Sequence, residues 1–525
     1  MSSEWECGAC TFLNPKKYGL VCEVCGTERT RSISAVPAAS TSQTVEGEKS
    51  ETGALSKTTN SVQLTAPEQI SRAQMERERL ARRAAQLDYS QGSKKRVLPF
   101  SDNNDNNQRT TLSRPASAHR ICLTAIKPFP CSNTTVSFDQ IVQKRQIRAA
   151  FFSSFQSDFE WIANHLPPHI KICFALHNPK RTPPRRQNNI TLVYPKLTAG
   201  YSIMHVKLCV LYYDAYVRVV ISSANLVDYD WESLENVVWF QDFPKTVGSS
   251  GSSGVAIAGS EKTVGDVFRE DLIKLLKDME VDEWVYEDLS AFDFSPCRAH
   301  LVISKPSTQT GENLSKYGIG RLSAIALLLS KKTPIPESVD MKYQTSSLGS
   351  LAPDWLSSFE SAARGTLLES KDNTTTSAEE VSPPPPPPTI KIVYPTAKTV
   401  ATSIRGASGA GTITWFRKTW VECQVKHLLR DSVSTRAGAL SHCKIFVCGD
   451  TYYYCGSHNF TMSAWGRVEA IGRKKKGMPE REKRVVMTNW EVGVVVEGGD
   501  GGIVPFETGE KFVEHGDGIM AAHVI

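Results

Sequence analysis

Met204-His205-Val206-Lys207-Leu208-Cys209-Val210-Leu211 is followed, after a short turn, by Val217-Arg218-Val219-Val220-Ile221-Ser222-Ser223-Ala224-Asn225. An apolar run of this kind reads as a strand buried on both faces, yet a period of two puts an imidazole and an ammonium on the same face. Burying such groups costs free energy unless they are paired or used. The pattern returns at His442-Cys443-Lys444-Ile445-Phe446-Val447, again ahead of Tyr453-Tyr454-Cys455-Gly456-Ser457-His458-Asn459. Two His-x-Lys strands, each leading into a strand that ends in Ser and Asn, predict an internal duplication with half a site in each copy.

Outward from the first copy, residues 151–166 read as a helix, 170–176 and 190–194 as strands, 235–239 as a further strand and 264–279 as an amphipathic helix. The second copy retraces this order with a strand at 390–394, a helix at 413–429, the His442 strand and a strand at 490–496. Strands alternating with helices define the α/β class. The expected architecture is two similar α-β-α sandwich domains related by a pseudo-twofold axis, at residues 119–308 and 309–525. Six consecutive prolines at 383–388 interrupt the second copy and must be extended. A basic loop, 473–484, has no counterpart in the first.

At 525 residues the chain exceeds what one core of about 250 to 300 residues holds. A formal charge of +6 permits an anionic partner without demanding one. There is no run of 18 apolar residues and no hydrophobic leader, so a soluble, intracellular protein without a membrane partner is expected. Of 13 cysteines, several sit inside apolar strands (Cys173, Cys209, Cys448), which suits buried thiols better than disulfides. Cys7, Cys10, Cys22 and Cys25 form two Cys-x-x-Cys knuckles, and a segment as small as residues 1–30 has no core to fold around without a structural zinc ion. Residues 31–118 are rich in Ser, Thr, Ala, Gln and Asn and read as a disordered linker. Its Lys94-Lys95-Arg96 is a short basic cluster of the nuclear-import type.

A neutral imidazole acts as nucleophile or general acid and base near pH 7, a lysine supplies fixed positive charge, and Asn supplies a neutral donor. Together they make a site for a tetrahedral phosphate. Two half-sites facing each other place His205 and His442 on opposite sides of one phosphorus, with Lys207, Lys444, Asn225 and Asn459 around its oxygens. Spacing alone does not say which histidine attacks. A lone histidine such as His119, His300, His427 or His515 reads as structural.

With these motifs the chain resembles the phospholipase D superfamily, and within it the tyrosyl-DNA phosphodiesterase family. General superfamily members have an aspartate five residues after the lysine; here those positions are Tyr212 and Gly449. The likeness extends over about residues 120–500, through Ser223-Ala224-Asn225-Leu226, Asp230-Trp231, Ser346-Ser347-Leu348-Gly349-Ser350-Leu351, Ala464-Trp465-Gly466 and Asn489-Trp490-Glu491. The resemblance implies that His205 is the nucleophile, that His442 is the general acid and base, and that Glu491 orients the network. Asn236 stands where the animal enzymes have Gln. Tyr201 takes the place of a base-stacking aromatic, and Ser346, Ser347, Ser350 and Thr461 the place of contacts with DNA phosphates. No catalytic cofactor is implied.

Trp5-x-Cys7-x-x-Cys10 with Asn14, ahead of Cys22-x-x-Cys25, resembles small zinc fingers of the NZF type. In the ubiquitin-binding members Thr-Phe follows the second cysteine and an apolar residue precedes the fourth, as Thr11, Phe12 and Val24 do here. The combined expectation is a nuclear DNA-repair hydrolase that removes a tyrosyl peptide of trapped topoisomerase I from a DNA 3′-phosphate. Its alternatives are a broader 3′-end phosphodiesterase and a non-catalytic adaptor for ubiquitin and DNA ends.

Overall fold

Val, Ile, Phe and Tyr alternate through two large sheets because branched and aromatic side chains pack well on a pleated surface. The computed structural model describes residues 4–6, 13–15, 118–180, 182–198, 202–246, 262–368, 387–471, 483–498 and 502–512. The chain divides into two units, Met1–Asp105 and Asn106–Ile525. In the first, Glu4–Glu6 pairs antiparallel with Leu13–Pro15. Cys7, Cys10, Cys22, Cys25, Thr11, Phe12, Val24, the linker up to residue 117 and the basic stretch 472–482 lie outside the described residues, as do Tyr201 and most of the proline run.

The second unit holds the duplication. Its first sheet contains β1 (Arg120–Thr124), β2 (Thr135–Val136), β3 (Ala149–Ser154), β4 (Lys171–Leu176), β5 (Arg185–Gln187), β6 (Ile190–Val193), β7 (Leu208–Tyr212), β8 (Tyr216–Ser222) and β9 (Val237–Pro244), in the order β2-β1-β9-β8-β7-β3-β4-β6-β5. The second contains β10 (His300–Ser304), β11 (Met341–Gln344), β12 (Lys391–Val393), β13 (Leu429–Ser434), β14 (Ile445–Cys448), β15 (Tyr452–Gly456), β16 (Glu491–Glu497) and β17 (Phe506–Lys511), in the order β10-β16-β15-β14-β11-β12-β13-β17. Strand for strand, β1-β9-β8-β7-β3-β4-β6-β5 matches the second sheet, including the parallel pairs β3–β4–β6 and β11–β12–β13. The edge strand β17 comes from the end of the chain, whereas its counterpart β5 is inserted between β4 and β6.

Three expectations change. The second sheet starts at His300, and the expected boundary between 308 and 309 falls inside a short strand, Ser307–Thr310, that pairs with Lys483–Met487. Residues 151–166 are not one helix: 149–154 are β3, and the helix is confined to Phe159–Asn164, started by the Asp158 side chain accepting from Glu160 N and Trp161 N. A short apolar run such as Ala-Ala-Phe-Phe has no period of its own, and pairing with β4 and β7 on both sides decides its state. In 413–429, Thr414–Trp415 pairs in parallel with Ser347–Leu348, and only Arg417–Glu422 is α-helical.

One apolar core runs through both halves, with Val210, Val219 and Trp239 of the first sheet and Phe446, Tyr454 and Val494 of the second all buried. The helix α1 (Val264–Asp278) adds Phe268, Leu272, Leu275 and Leu276, and its N-terminus is a capping box between Thr263 and Asp266. Each such side chain contributes about 1.5 to 3 kcal/mol by burial. The two halves are therefore fused by their cores rather than tethered.

Candidate active site

His205 and Lys207 precede β7, and His442 and Lys444 precede β14; each lysine still accepts from the neighbouring strand of its own sheet, Lys207 O from Ser222 N at 3.2 Å and Lys444 O from Gly456 N at 3.3 Å. The histidine ends pair with the other half. Met204 bridges Trp490 in parallel, with His205 N donating to Trp490 O at 3.0 Å and Trp490 N donating to Ile203 O at 2.9 Å. Reciprocally, Leu440–Ser441 pairs with Leu234–Glu235, and His442 N donates to Glu235 O at 2.8 Å. Each histidine thus hangs on the backbone just ahead of a polar residue from the opposite copy: Glu491 for His205, Asn236 for His442. A buried Glu235 carboxylate, held by Arg436 Nε at 2.7 Å, fixes the second of these junctions.

His205 Nδ1 lies 2.8 Å from Glu491 Oε2, which also accepts from Ser457 Oγ at 2.5 Å, while Glu491 Oε1 accepts from Asn489 Nδ2 at 3.2 Å. His442 Nδ1 lies 2.9 Å from Asn236 Oδ1, which accepts from Ser223 Oγ at 2.8 Å. The two arrangements are copies, Ser457 to Glu491 as Ser223 to Asn236, except that one acceptor is an anion and the other a neutral amide. Either acceptor puts the Nδ1 proton of its histidine inward and leaves Nε2 for chemistry. Lys444 Nζ donates to His442 O at 2.7 Å and sits 2.9 Å from His442 Nε2, and Lys207 Nζ donates to His205 O at 3.2 Å.

The amides are held too. Asn225 N and Nδ2 both donate to Asp230 Oδ2, at 2.6 and 2.9 Å. Asn459 Oδ1 accepts from Thr345 Oγ1 and Ser346 Oγ, both at 3.1 Å, and from Ser347 N at 3.2 Å. Fixing the acceptor end of Asn459 leaves its NH2 to face a ligand oxygen.

Burial dominates the titration of the site. It lowers His205, with Glu491 pulling the other way, and it lowers His442 well below the usual range, helped by Lys444 and Lys207. Lys207 is pushed down to about 8 by burial, against Glu491 and Asp230. Lys444 falls well below its ordinary value through burial and then Lys207. Burial alone would raise the Glu491 carboxyl, but His205 and the other nearby cations bring it below the usual range. The site is a buried pocket of paired lysines and carboxylates, and His205, 12% exposed, is its opening to solvent.

The sequence-derived residues His205, Lys207, Asn225, Asn236, His442, Lys444, Asn459 and Glu491 are brought together here. Ser350 is exposed, whereas Ser346 is fully buried and its hydroxyl is spent on Asn459. Thr461 Oγ1 caps the helix Met462–Trp465 by accepting from Ala464 N. Sequence reasoning assigned no role to Ser223, Ser457, Thr345 or Asp230, although all but Thr345 stand inside quoted motifs. Phe155 and His177 also went unread: the Phe155 ring lies 5.9 Å from that of His205 and 5.2 Å from that of His177. Among the described residues no group of three His, Cys, Asp or Glu is arranged to hold a metal ion.

Two copies of one sheet, exchanging short strands around a twofold His-Lys-Asn centre, define an α/β protein of the phospholipase D type. The solved structure of yeast tyrosyl-DNA phosphodiesterase shares this fold, with a TM-score of 0.51 and 16% identity, covering 74% of this chain and 92% of that one. The chain matches the tyrosyl-DNA phosphodiesterase family over residues 120–511 and belongs to it. Similar proteins are the probable tyrosyl-DNA phosphodiesterase of Caenorhabditis elegans, 27% identical over 402 residues (72% of this chain, 82% of that protein), and tyrosyl-DNA phosphodiesterase 1 of Arabidopsis thaliana, 24% identical over 411 residues. This chain spans 62% of the length of the Arabidopsis protein.

Proposed function

We propose that the protein hydrolyses the phosphodiester between a DNA 3′ end and a tyrosyl residue, such as that of a trapped topoisomerase I peptide, through a phosphohistidine on His205. The observation that carries this reading is the asymmetry of a twofold site, with a carboxylate behind His205 and an amide behind His442. A carboxylate on Nδ1–H raises the nucleophilicity of Nε2 and stabilises the cation that forms when Nε2 is phosphorylated. A neutral amide fixes the tautomer of His442 without making it a poorer acid.

In the first step His205 Nε2 forms the N–P bond, the bond from phosphorus to the tyrosyl oxygen breaks, and the proton on His442 Nε2 passes to that oxygen. In the second, water bonds to phosphorus as its proton passes to His442 Nε2, the N–P bond breaks, and a DNA 3′-phosphate leaves. Lys207, Lys444, Asn225 and Asn459 hold the nonbridging oxygens. The incoming phosphodiester anion offsets the lysines, draws Lys444 off His442 Nε2 and so allows that nitrogen to carry the proton.

Tyr201, Ser347, Ser350 and Thr461 are proposed to contact the DNA strand, with Ser346 acting through Asn459. At the N-terminus, Cys7, Cys10, Cys22 and Cys25 would hold zinc, and Thr11, Phe12 and Val24 would bind ubiquitin, directing a nuclear enzyme to ubiquitylated adducts. Supporting these are the knuckle spacing and the Thr-Phe pair.

The test is release of tyrosine from a 3′-phosphotyrosyl oligonucleotide by the full chain in EDTA, which removes any divalent metal that could act in catalysis. Turnover is expected; none would contradict the reading. Because Lys207 loses its proton near pH 8 in the free protein, kcat/KM is expected to decline by about that pH, and Lys207→Arg to extend the plateau upward. A profile flat well beyond pH 8 argues against phosphate binding by this lysine. For the finger, ubiquitin titration should give binding that Thr11→Ala and Phe12→Ala each weaken by about tenfold; equal affinity in all three forms refutes it.

A further inference from the structure

Asp230 is fully buried and uses one carboxylate oxygen, Oδ2, for both hydrogen bonds from Asn225. The same oxygen lies 3.6 Å from His442 Nδ1, while Oδ1 is buried without a hydrogen-bond partner among the described residues. A buried carboxylate with an unused oxygen is costly, so its charge must be matched through space. The charged groups acting on it are Lys444 ahead of β14 and Lys207 ahead of β7, with His442 3.6 Å away; Lys444 also feels Cys443 and Glu491, and His442 also feels His205.

Holding Asn225 does not require a charge, because the duplicated half solves the same problem without one. Motif for motif, Asn225 corresponds to Asn459, Trp231 to Trp465 and Asp230 to Ala464. Asn459 is fixed by two hydroxyls and a backbone amide instead. One fold thus contains a neutral clamp and an anionic clamp, and the anionic one stands beside the histidine whose direct partner, Asn236, is neutral.

We propose that Asp230 is a positioning residue that sets the proton affinity of His442: its charge, one step removed from the imidazole, offsets Lys207 and Lys444 so that Nε2 can carry the proton given to the leaving group. With neutral histidines and both lysines protonated, the pocket holds two cations and two carboxylates, and a bound phosphodiester is balanced by one proton on His442. Burial pushes the Asp230 carboxyl up to about 6 against the pull of Asn225 and the lysines, which leaves it ionised above that pH. The inference rests on the phosphodiesterase reading and adds to it the group that sets the proton affinity of the acid.

Asp230→Asn keeps an acceptor for both Asn225 hydrogen bonds and removes only the charge. Single-turnover cleavage is measured on two 3′ esters of one oligonucleotide, a phosphotyrosyl and a p-nitrophenyl phosphodiester, across pH. The p-nitrophenolate leaves without a proton, so its rate should fall less than about threefold, while the tyrosyl rate falls about tenfold or more at pH 8 and its profile moves about one unit toward acid. The ratio of the two rates within one preparation is independent of how much protein is folded. Equal losses on both esters, or no displacement of the tyrosyl profile, overturn the inference and leave Asp230 a structural clamp. A wild type that cleaves neither ester overturns the hydrolase reading, and the inference falls with it.

Discussion

His205→Ala is expected to lower tyrosine release from a 3′-phosphotyrosyl oligonucleotide by about 10⁴-fold or more, since removing a nucleophile that acts as a unit with its partners abolishes the covalent route. Glu491, Ser457 and Asn489 converge behind this ring, and none reaches a reacting atom unless the imidazole is there. His442→Ala should behave differently. Phenolate is a tolerable leaving group, so the first step continues slowly, but water then lacks its base and the protein stops as a covalent DNA adduct. Gel-resolved single turnovers separate the cases: no adduct and no tyrosine for His205→Ala, a burst of tyrosine with a persistent adduct for His442→Ala. Exogenous imidazole restoring part of the His205→Ala activity would show that the pocket is intact.

Asp242→Ala should destabilise the protein by about 3 to 5 kcal/mol, because it strands a buried guanidinium. Arg218 on β8 and Asp242 on β9 are cross-strand partners, 1% and 0% exposed. Arg218 Nε and Nη2 donate to the two carboxylate oxygens at 2.6 and 2.9 Å, and Nη1 donates to Gln140 O and Ile141 O. The rings of Phe240, Tyr213 and Tyr216 surround the guanidinium and leave water no access. In thermal unfolding the midpoint should drop by about 3 to 6 °C. The double variant Arg218→Met/Asp242→Leu should recover most of the loss, as apolar replacement of a whole buried pair is often neutral. A single variant within one degree or so of wild type would show that the pair contributes nothing net.

The chemistry of the site was legible because it is written in local spacing. His-x-Lys, Ser-x-Asn and the residues just ahead of Glu491 each occupy a few consecutive positions, and their repetition exposes the twofold. Pairings across the chain were not legible. Ser223 reaching Asn236 and Ser457 reaching Glu491 depend on strands β8 and β15 lying beside β9 and β16, and no periodicity announces which hydroxyl meets which acceptor. For the same reason the His-x-Lys segments were read wholly as strand interiors, when only their lysine ends continue a strand and their histidine ends are the exchanged junctions between the copies.

Gly493 illustrates the residual. A Cβ there would collide with the ring of Tyr454, whose hydroxyl lies 2.5 Å from His458 Nδ1 behind the site. The reason for this glycine is a close approach between strands that only the fold creates. Helix lengths failed where tertiary pairing overrode pattern, at β3 and at Thr414–Trp415.

The division of labour between the two histidines is tested most directly by locating the covalent bond. The His442→Ala protein is mixed with a 3′-phosphotyrosyl oligonucleotide, quenched under alkaline conditions that preserve phosphohistidine, digested and mapped by mass spectrometry. A nucleotide-bearing phosphate on the peptide containing His205, absent from the His205→Ala protein, is the predicted result. Tyrosine released with no adduct on either histidine, or an adduct carried by another residue, would contradict the assignment.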